Sequence, residues 1–285
     1  MKKRMLLAVV VMLAAAGFVQ AQDGELHGYI DLTYQSKYVW RGIDVFNDKS
    51  AFQPTVDLDL YGTGFGVNAQ GHMANSGEAG PPLPDGGDLG MVNSERWDIT
   101  LYYQQRLFGD APYAINHRLG WVNYTYPELD SRDLDLQELH SIFSFPNLLP
   151  VEGLVPTYVL VKLWPNSTNS WLGSPTHALA ARGTASGWAH IFMLDYGIPM
   201  PSMLPSQPEQ VLKLHAEAVY NDGVHPAGAN VDQDWSNAVF GACTDIDLGN
   251  NMTLTPGVYH QVTMDKSING DKDETWATLG LKYKF

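Results

Sequence analysis

Three ionisable residues with alternating spacing form the most suggestive chemical pattern in the sequence. Lys213, His215 and Glu217 are two positions apart, so an extended strand places them on one face, with successive members about 6–7 Å apart. A histidine between a cation and an acid could serve as a proton relay in a hydrolase. Such a row is also common as filling inside a barrel, and this second interpretation is the one we favour.

Other candidate catalytic and metal-binding groups fail on geometry. His140 and Ser141 are neighbours, and adjacent residues of a strand point to opposite faces. His140 and Ser144 share a face but lie about 13 Å apart at the rise of a strand. The histidines form no His-Glu-x-x-His motif, and the acidic segment 265–274 lacks the spacing of an EF-hand. The sequence therefore predicts no catalytic site, metal or cofactor.

The charge balance narrows the function further. The chain has 285 residues, with 17 Lys and Arg against 31 Asp and Glu, and its formal net charge is −14. A nucleic-acid-binding protein needs a basic surface, so nucleic acid is disfavoured as a partner. Only 17% of the residues are charged and 11% are aromatic, which is typical of a folded chain rather than of a disordered acidic one.

The N-terminus indicates export. Three basic residues at positions 2–4 precede an apolar run over 5–19, and small residues then precede a predicted cleavage before Gln22. The run is shorter than the about 20 residues that a transmembrane helix needs. We therefore expect residues 1–21 to be a cleaved signal peptide and residues 22–285 to form the mature domain.

The mature sequence alternates between apolar and polar residues with a period of two, which is the pattern of strands with one apolar face. The last segment is the clearest case, because Ala277, Leu279, Leu281, Tyr283 and Phe285 fall on one face. The predicted strands are at 26–45, 51–61, 64–74, 95–107, 112–126, 136–145, 156–164, 187–197, 210–220, 235–248, 251–264 and 274–285.

Three features favour a transmembrane barrel over a soluble sandwich. The predicted strands, mostly about 10–14 residues, are longer than soluble strands and match the length that a tilted strand needs to span a bilayer. Short connections on one side alternate with mostly long polar loops on the other, as in outer-membrane barrels. The chain also ends on an alternating strand that closes with Phe285, which resembles the terminal signal of bacterial outer-membrane proteins.

The predicted fold class is therefore all-β: a transmembrane antiparallel up-and-down β-barrel of twelve strands with both termini in the periplasm. Closure removes the sheet edges, whose backbone groups cannot be hydrated in lipid. The proline-rich turns at 146–155 and 198–209 leave ten and fourteen strands as alternatives. Tyr283 and Phe285 form the predicted insertion signal, which the barrel-assembly machinery would recognise.

Charged residues on the polar faces are predicted to line the pore. Neither sign dominates, so the sequence predicts no ion selectivity. Arg41 is either an anion-selecting cation or the partner of an acid such as Asp57 or Asp59, and we favour pairing because small barrels are filled by interior side chains. In the same strand, Tyr38 and Trp40 fall on the apolar face. The candidate pore-lining residues are Asp31, Lys37, Arg41, Asp57, Asp59, Arg96, Asp98, Arg106, Arg118, Lys213, His215, Glu217, Asp245, Lys282 and Lys284.

The segment around Arg41 carries the most distinctive motif. It consists of Tyr38, Val39, Trp40, Arg41 and Gly42, followed by Phe52-Gln53-Pro54, Gly64-Phe65-Gly66 and Ala74-Asn75-Ser76. This pattern resembles the start of the TorF-like family of proteobacterial outer-membrane porins, whose members open with a tyrosine-valine-aromatic-arginine-glycine strand. The similarity covers the beginning of the mature chain and implies a porin-like barrel.

These observations predict a channel in the outer membrane of a Gram-negative bacterium. Polar inner faces on nearly every strand suit passive diffusion of small hydrophilic solutes, while the outer face would contact membrane lipid and lipopolysaccharide. Twelve strands lie between filled eight-stranded barrels and open sixteen-stranded ones, so an inward-folded loop could close the pore. The alternatives are an outer-membrane hydrolase of lipid or peptide and a non-conducting structural or surface barrel. We do not expect enzyme activity.

Overall fold

The computed structural model describes residues 25–75, 95–127, 135–166, 186–202, 209–222, 231 and 233–285. The predicted signal peptide lies outside these residues. Strands and turns account for almost all of the described chain, with one short 3-10 helix at Asn269–Asp271. None of its helical segments has the length and apolar character needed to cross a membrane.

The alternating segments form long strands at nearly all of the predicted positions. The strands are β1 (His27–Gln35), β2 (Val39–Trp40), β3 (Ile43–Asp44), β4 (Ala51–Asp59), β5 (Phe65–Ala74), β6 (Glu95–Leu107), β7 (Ile115–Thr125), β8 (Leu136–Ser144), β9 (Leu154–Pro165), β10 (Gly187–Met200), β11 (Gln210–Asp222), β12 (Asp234–Thr244), β13 (Ile246–Gly249), β14 (Met252–Thr263) and β15 (Glu274–Lys284). β12 and β13 are two parts of one wall strand, interrupted at Asp245 and both paired with β14. β2 and β3 form a separate hairpin, so the described strands build a twelve-stranded wall.

Each wall strand pairs with its neighbours in antiparallel order, and the last strand pairs with the first. β1 pairs with β4 on one side and β15 on the other, so Ile30 lies opposite both Val56 and Tyr283. At this seam the backbone N–H groups of Gly28 and Phe285 each donate to the other residue's carbonyl at 3.0 Å. The prediction of a closed, twelve-stranded antiparallel barrel is therefore confirmed.

The alternation separates the two faces of the wall. Along β1, Ile30 and Leu32 are 50% and 46% exposed on the outside, whereas Asp31 and Thr33 point into the lumen. An apolar outer face suits contact with lipid rather than with water. Other large apolar residues exposed on the outside include Phe52, Leu101, Phe192, Val258 and Leu279.

The two ends of the barrel differ in their connections. One end, which we call the terminal end, holds the first and last described residues and short connections at 60–64, 108–114 and 250–251. The opposite end, which we call the loop end, holds longer connections such as 36–50 and 264–273. The short turns lie where they were predicted, whereas the long loops predicted at 75–94, 165–186 and 221–234 lie mostly outside the described residues.

The proline-rich turns are shorter than predicted. β9 begins at Leu154 instead of at residue 156, and β10 extends through Pro199 to Met200. Both strands thus contain a proline, Pro156 and Pro199, although proline has no N–H to donate to a strand ladder. Pro156 still contributes its carbonyl, which accepts the N–H of Phe145 at 3.0 Å. Both prolines lie near the end of a strand, where the missing donor disturbs the ladder least.

Glycine allows two lumen-facing tyrosines to lie flat against the wall. A Cβ at Gly66 would overlap the ring of Tyr102, and a Cβ at Gly241 would overlap the ring of Tyr259. Each glycine is the cross-strand partner of its tyrosine, so the missing side chain gives the ring its space. A ring that lies flat leaves more of the lumen open than one that projects inward.

The first strand is shorter than predicted. β1 ends at Gln35, and residues 36–50, which we call the lumen hairpin, fold inward instead of continuing the wall to residue 45. Tyr38 and Phe46 are only 3% and 0% exposed. The prediction that Tyr38 and Trp40 lie on the apolar outer face is therefore wrong.

A tight turn between β2 and β3 reverses the chain inside the barrel. Arg41 and Gly42 both have positive φ angles, of 48° and 89°. Glycine adopts this left-handed conformation without a steric penalty, whereas most other residues do not. Tyr38 and Trp40 continue the apolar face of the first strand, and Lys37 and Arg41 continue its polar face, which is why periodicity predicted one uninterrupted strand. Beyond the turn the phase reverses, since Ile43 and Val45 fall on the polar face and Asp44 on the apolar one.

Candidate functional site

Stacked aromatic rings hold the lumen hairpin against one part of the wall. The Arg96 guanidinium on β6 lies 4.0 Å from the ring centroid of Trp40, 5.4 Å from that of Tyr38 and 4.9 Å from that of Tyr124. Tyr38 also stacks on His72, with ring centroids 4.4 Å apart. Cation–π contacts contribute about 2 kcal/mol when they are desolvated. Two aromatic residues of the sequence motif thus attach the hairpin to the wall.

A buried polar network neutralises Arg96. Its Nε and Nη2 atoms donate to Asp98 Oδ1 and Oδ2 at 2.8 and 2.6 Å. His72 Nε2 lies 3.0 Å from Asp98 Oδ2, and His72 Nδ1 lies 2.8 Å from Gln53 Nε2. Arg96 and Asp98 face the lumen, as the alternation predicts, but the hairpin covers them.

Arg41 reaches across the lumen to β8. Its Nη2 donates to Glu138 Oε2 at 2.6 Å. The Tyr124 hydroxyl donates to the same oxygen at 2.8 Å, and His140 Nδ1 lies 3.0 Å from Glu138 Oε1. The Glu138 carboxylate is therefore shared by the hairpin and two wall strands.

The predicted pairing of Arg41 with Asp57 or Asp59 is wrong, because the hairpin carries Arg41 away from β4. Asp57 instead accepts a hydrogen bond from the Tyr102 hydroxyl at 2.8 Å and lies 3.8 Å from Arg118. The Arg118 guanidinium lies 3.6 Å from the centroid of the Tyr102 ring. These three residues form a separate cluster on the inner wall.

The tip of the hairpin contacts a third part of the wall. Gln261 Nε2 on β14 donates to the Gly42 carbonyl at 2.9 Å. A Cβ at Gly42 would lie 2.9 Å from Ile268 and 3.0 Å from Asn237. A larger residue at this position would therefore clash with the wall as well as disfavour the left-handed backbone.

The base of the hairpin carries three carboxylates around one lysine. Lys37 Nζ contacts Asp48 and lies 2.7 Å from Glu274 Oε2. Oxygens of Asp44, Asp48 and Glu274 lie within 4.8 Å of one another. The N–H of Asp44 donates to Asn269 Oδ1 at 3.0 Å, and the N–H of Asp48 donates to Asp44 Oδ2 at 2.6 Å. Burial, together with the neighbouring carboxylates, raises the pKa of Asp44 to about 6.

A cavity of about 740 Å³ lies beneath the lumen hairpin, within the range of small-molecule sites. Hairpin residues 39–42 form its roof, and the inner faces of β1, β4, β5, β11, β12, β14 and β15 contribute to its walls. The predicted pore-lining residues that line it are Asp31, Arg41, Lys213, His215, Glu217, Asp245 and Lys282.

Other predicted pore-lining residues lie near the terminal end, outside this cavity. Arg106 pairs with the exposed Asp110 at 2.9 Å beside a short turn. Asp59 accepts the N–H of Gly62 at 2.9 Å in another short turn. Lys284 is exposed near the end of the last strand. Alternation placed these side chains on the inner face, but the ends of the strands extend past the cavity.

Charged groups on β11 are paired with neighbouring strands. Lys213 Nζ lies 2.6 Å from Asp245 Oδ2, and His215 Nδ1 lies 2.7 Å from Asp195 Oδ1. His215 Nε2 lies 3.9 Å from Glu217 Oε2. Lys213, His215 and Glu217 thus share a lumen face. Within the described residues, neither a hydroxyl nor a thiol is hydrogen-bonded to His215.

Sequence reasoning missed the uncharged part of the cavity wall. Alternation assigned some of them, such as Thr33, Thr55 and Thr278, to the inner face, but the choice of charged groups as candidates did not select them. The uncharged polar residues and aromatic rings that line the cavity include Thr33, Gln35, Thr55, Asn68, Gln70, Thr255, Thr278, Tyr29, Tyr259 and Trp276.

One region of the inner face is apolar. Val159, Val161, Ala189, Ile191 and Val219 pack together across β9, β10 and β11. Cross-strand pairing places these residues side by side on one face. The expectation of a polar inner face on nearly every strand does not hold for this part of the barrel.

Comparison with known proteins places the fold. No protein-family model and no curated protein matches the sequence. Among solved structures, the KdgM porin in complex with disordered oligogalacturonate matches with a TM-score of 0.50 and 10% identity, over 90% of this chain and 99% of that chain. The chain has the fold of an outer-membrane porin barrel.

Two further barrels are similar. The NanC porin matches with a TM-score of 0.49 and 10% identity, over 90% of this chain and 100% of that chain. Outer membrane phospholipase A from Escherichia coli matches with a TM-score of 0.44 and 10% identity, over 90% of this chain and 92% of that chain. At this level of identity the likeness shows the fold alone.

Proposed function

We propose that this protein is an outer-membrane channel for the passive diffusion of small hydrophilic solutes. The observation that carries the proposal is a closed barrel with an apolar outer face and a lumen cavity lined by charged, amide and hydroxyl groups. A polar cavity enclosed by a lipid-facing wall suits solutes that cannot dissolve in the bilayer. The porin fold of the chain supports the same function.

The proposal includes location and orientation. The signal at 1–21 exports the chain, the barrel-assembly machinery inserts it through its last strand, and both termini face the periplasm. The outer face contacts membrane lipid and lipopolysaccharide. Membership of the TorF-like family belongs to this proposal and rests on the motif at 38–42, which forms the turn of the lumen hairpin.

The lumen hairpin is the proposed constriction. It contacts β6 through Trp40, β8 through Arg41, β14 through Gly42 and β15 through Lys37. A segment fastened at four places around the wall narrows the lumen wherever it crosses. Solutes cross the lumen either beside the docked hairpin or after the hairpin has left its docked position.

Planar-bilayer recording of the refolded mature chain tests the channel. We expect discrete conductance steps, and a variant that lacks residues 39–44 should show larger steps because it lacks the roof of the cavity. Heat-modifiable migration on gels would verify that both proteins form the barrel. Absence of conductance steps at every voltage, in both correctly folded proteins, would contradict the proposal and favour a non-conducting structural or surface barrel.

We further propose that the protein is not an enzyme. His215 is bound to Asp195, and its row supplies no nucleophile. A second histidine, His117, lies 2.9 Å from the Ser141 hydroxyl, but within the described residues no acid contacts its other ring nitrogen. The refolded sample should leave phospholipid and peptide substrates intact. Hydrolysis that is lost on His215→Ala or Ser141→Ala would instead favour the hydrolase.

A further inference from the structure

We infer that the cavity beneath the lumen hairpin binds a neutral saccharide or a similar polyol. This inference rests on the proposed function, because it takes the lumen to be the path of the solute. It goes further by assigning a chemical class to that solute. Three observations carry it: the pairing of the charges, the mixture of unpaired donors and acceptors, and the aromatic rings on one wall.

The lining of the cavity carries equal numbers of cations and anions, and three of these six residues are held in ion pairs. The lining contains three cations, Arg41, Lys213 and Lys282, and three anions, Asp31, Glu217 and Asp245. Arg41 pairs with Glu138, and Lys213 pairs with Asp245. Lys282 lies opposite Asp31 in the strand register. A charged solute would have to break the Arg41–Glu138 or the Lys213–Asp245 pair or enter without a counterion, whereas a neutral solute has neither cost.

Unpaired polar atoms around the cavity include both donors and acceptors. Arg41 Nη1 and Asn237 Nδ2 are buried donors without a hydrogen-bond partner, and Gln35 Oε1 and Gln261 Oε1 are buried acceptors without one. All four residues line the cavity. An anion would satisfy donors only, whereas a sugar hydroxyl both donates and accepts. A polyhydroxylated ligand therefore matches this set best.

Aromatic rings supply the remaining part of a sugar site. Tyr259 and Trp276 line the cavity and stack with their centroids 5.5 Å apart and an interplanar angle of 15°. Gly241 lets the Tyr259 ring lie flat on the wall, and Gly280 adds no side chain to the lining of the cavity. The C–H face of a sugar ring is apolar and packs on such a flat surface, and the amides that also line the cavity, such as those of Gln35 and Gln261, offer partners for its hydroxyls.

Lactose, lactitol and lactobionate provide the probes. Lactitol and lactobionate both carry galactose on an open six-carbon chain and differ in the charge of its terminal group, so lactitol separates the effect of charge from that of the opened sugar ring. Calorimetry on the refolded, detergent-solubilised protein should detect binding of lactose and lactitol and weaker binding of lactobionate. In planar bilayers lactose should reduce the current in a saturable manner, whereas a viscosity effect would not saturate. Calorimetry does not depend on conductance, so it tests the inference even if no channel is seen.

Two variants test the aromatic surface. Tyr259→Leu and Trp276→Leu keep an apolar side chain but remove the flat ring, and each should weaken lactose binding by about tenfold. Trp121→Leu is the matched control, because Trp121 lies on the outer face of β7, and it should bind lactose as the native protein does. Gel mobility would verify that all three variants form the barrel.

The outcomes separate the inference from the proposed function. Conductance without lactose binding, or lactobionate binding as tightly as lactose, would overturn the saccharide site and leave the channel intact. Lactose binding that is equally weakened by Trp121→Leu, or unaffected by both ring substitutions, would also overturn it. Lactose binding without conductance would support the site and contradict the channel.

Discussion

The ion pair between Arg41 and Glu138 should control how long the lumen hairpin stays docked. Arg41→Ala removes the 2.6 Å hydrogen bond between the hairpin and β8. The substitution leaves the cation–π contact between Trp40 and Arg96 intact, so the hairpin keeps its other attachments. Glu138 retains its contacts with Tyr124 and His140. The perturbation is therefore specific to one attachment of the hairpin.

The expected magnitude follows from the burial of the pair. Removing one partner of a buried ion pair costs about 3–5 kcal/mol. Because Glu138 keeps two other hydrogen-bonding groups, we take the lower end, about 3 kcal/mol. Since a tenfold change in an equilibrium constant corresponds to about 1.4 kcal/mol, the ratio of docked to undocked hairpin should fall about 100-fold.

Planar-bilayer recordings can measure this shift as the fraction of time spent in the larger conductance state. Arg41→Ala and Glu138→Gln should each increase that fraction, and the double variant should add little to either single variant because both changes disrupt one interaction. Arg106→Ala is the control, since Arg106 pairs with Asp110 on the surface, where such a pair contributes about 0–1 kcal/mol.

Two results would refute this reasoning. If Arg41→Ala assembles normally and its conductance states and dwell times equal those of the native protein, the ion pair does not hold a constriction. If Arg106→Ala changes the recordings as much as Arg41→Ala does, the change reflects the net charge of the barrel instead of the release of the hairpin.

Three further predictions concern pH, assembly and packing. The pKa of Asp44 is raised to about 6, so the docked hairpin binds a proton more tightly than an undocked hairpin does. Docking should therefore gain stability as the pH falls from about 7 to 4. Asp44→Asn should remove this pH dependence, which planar-bilayer current measures. Deletion of Phe285 removes two backbone hydrogen bonds at the seam with Gly28 and should lower the amount of heat-modifiable barrel in outer-membrane fractions; unchanged assembly would count against the proposed insertion signal. Gly66→Ala should destabilise the barrel by about 1–3 kcal/mol in denaturant unfolding, because the new Cβ overlaps the Tyr102 ring, and adding Tyr102→Ala should relieve part of that loss.

The barrel wall could be predicted from the sequence because each strand carries its own evidence. Alternation along 274–285 places Leu279 and Leu281 on one face and Lys282 on the other, and the structure shows the same arrangement. The lengths of the strands and their short turns then favour a closed barrel. These signals are local, so they do not depend on knowing which residues meet across the lumen.

The lumen hairpin could not be predicted in the same way. Tyr38 and Trp40 continue the apolar face of β1 and Arg41 its polar face, yet these residues leave the wall because their contacts are with residues far away in the sequence. Trp40 packs against Arg96, and Arg41 pairs with Glu138. A period of two describes one strand and its faces, but it does not show whether that strand has neighbours to pair with.

The sequence by itself determined the fold class, the positions of most wall strands and which of their side chains face the lumen, because hydrophobic alternation is a local property of each strand; it left ten and fourteen strands open beside twelve. Tertiary structure alone decided that the chain turns inward after Gln35, that Arg41 pairs with Glu138, and that uncharged residues and aromatic rings meet around one cavity. These features depend on contacts between strands that are distant in the chain, and closure of the barrel creates those contacts.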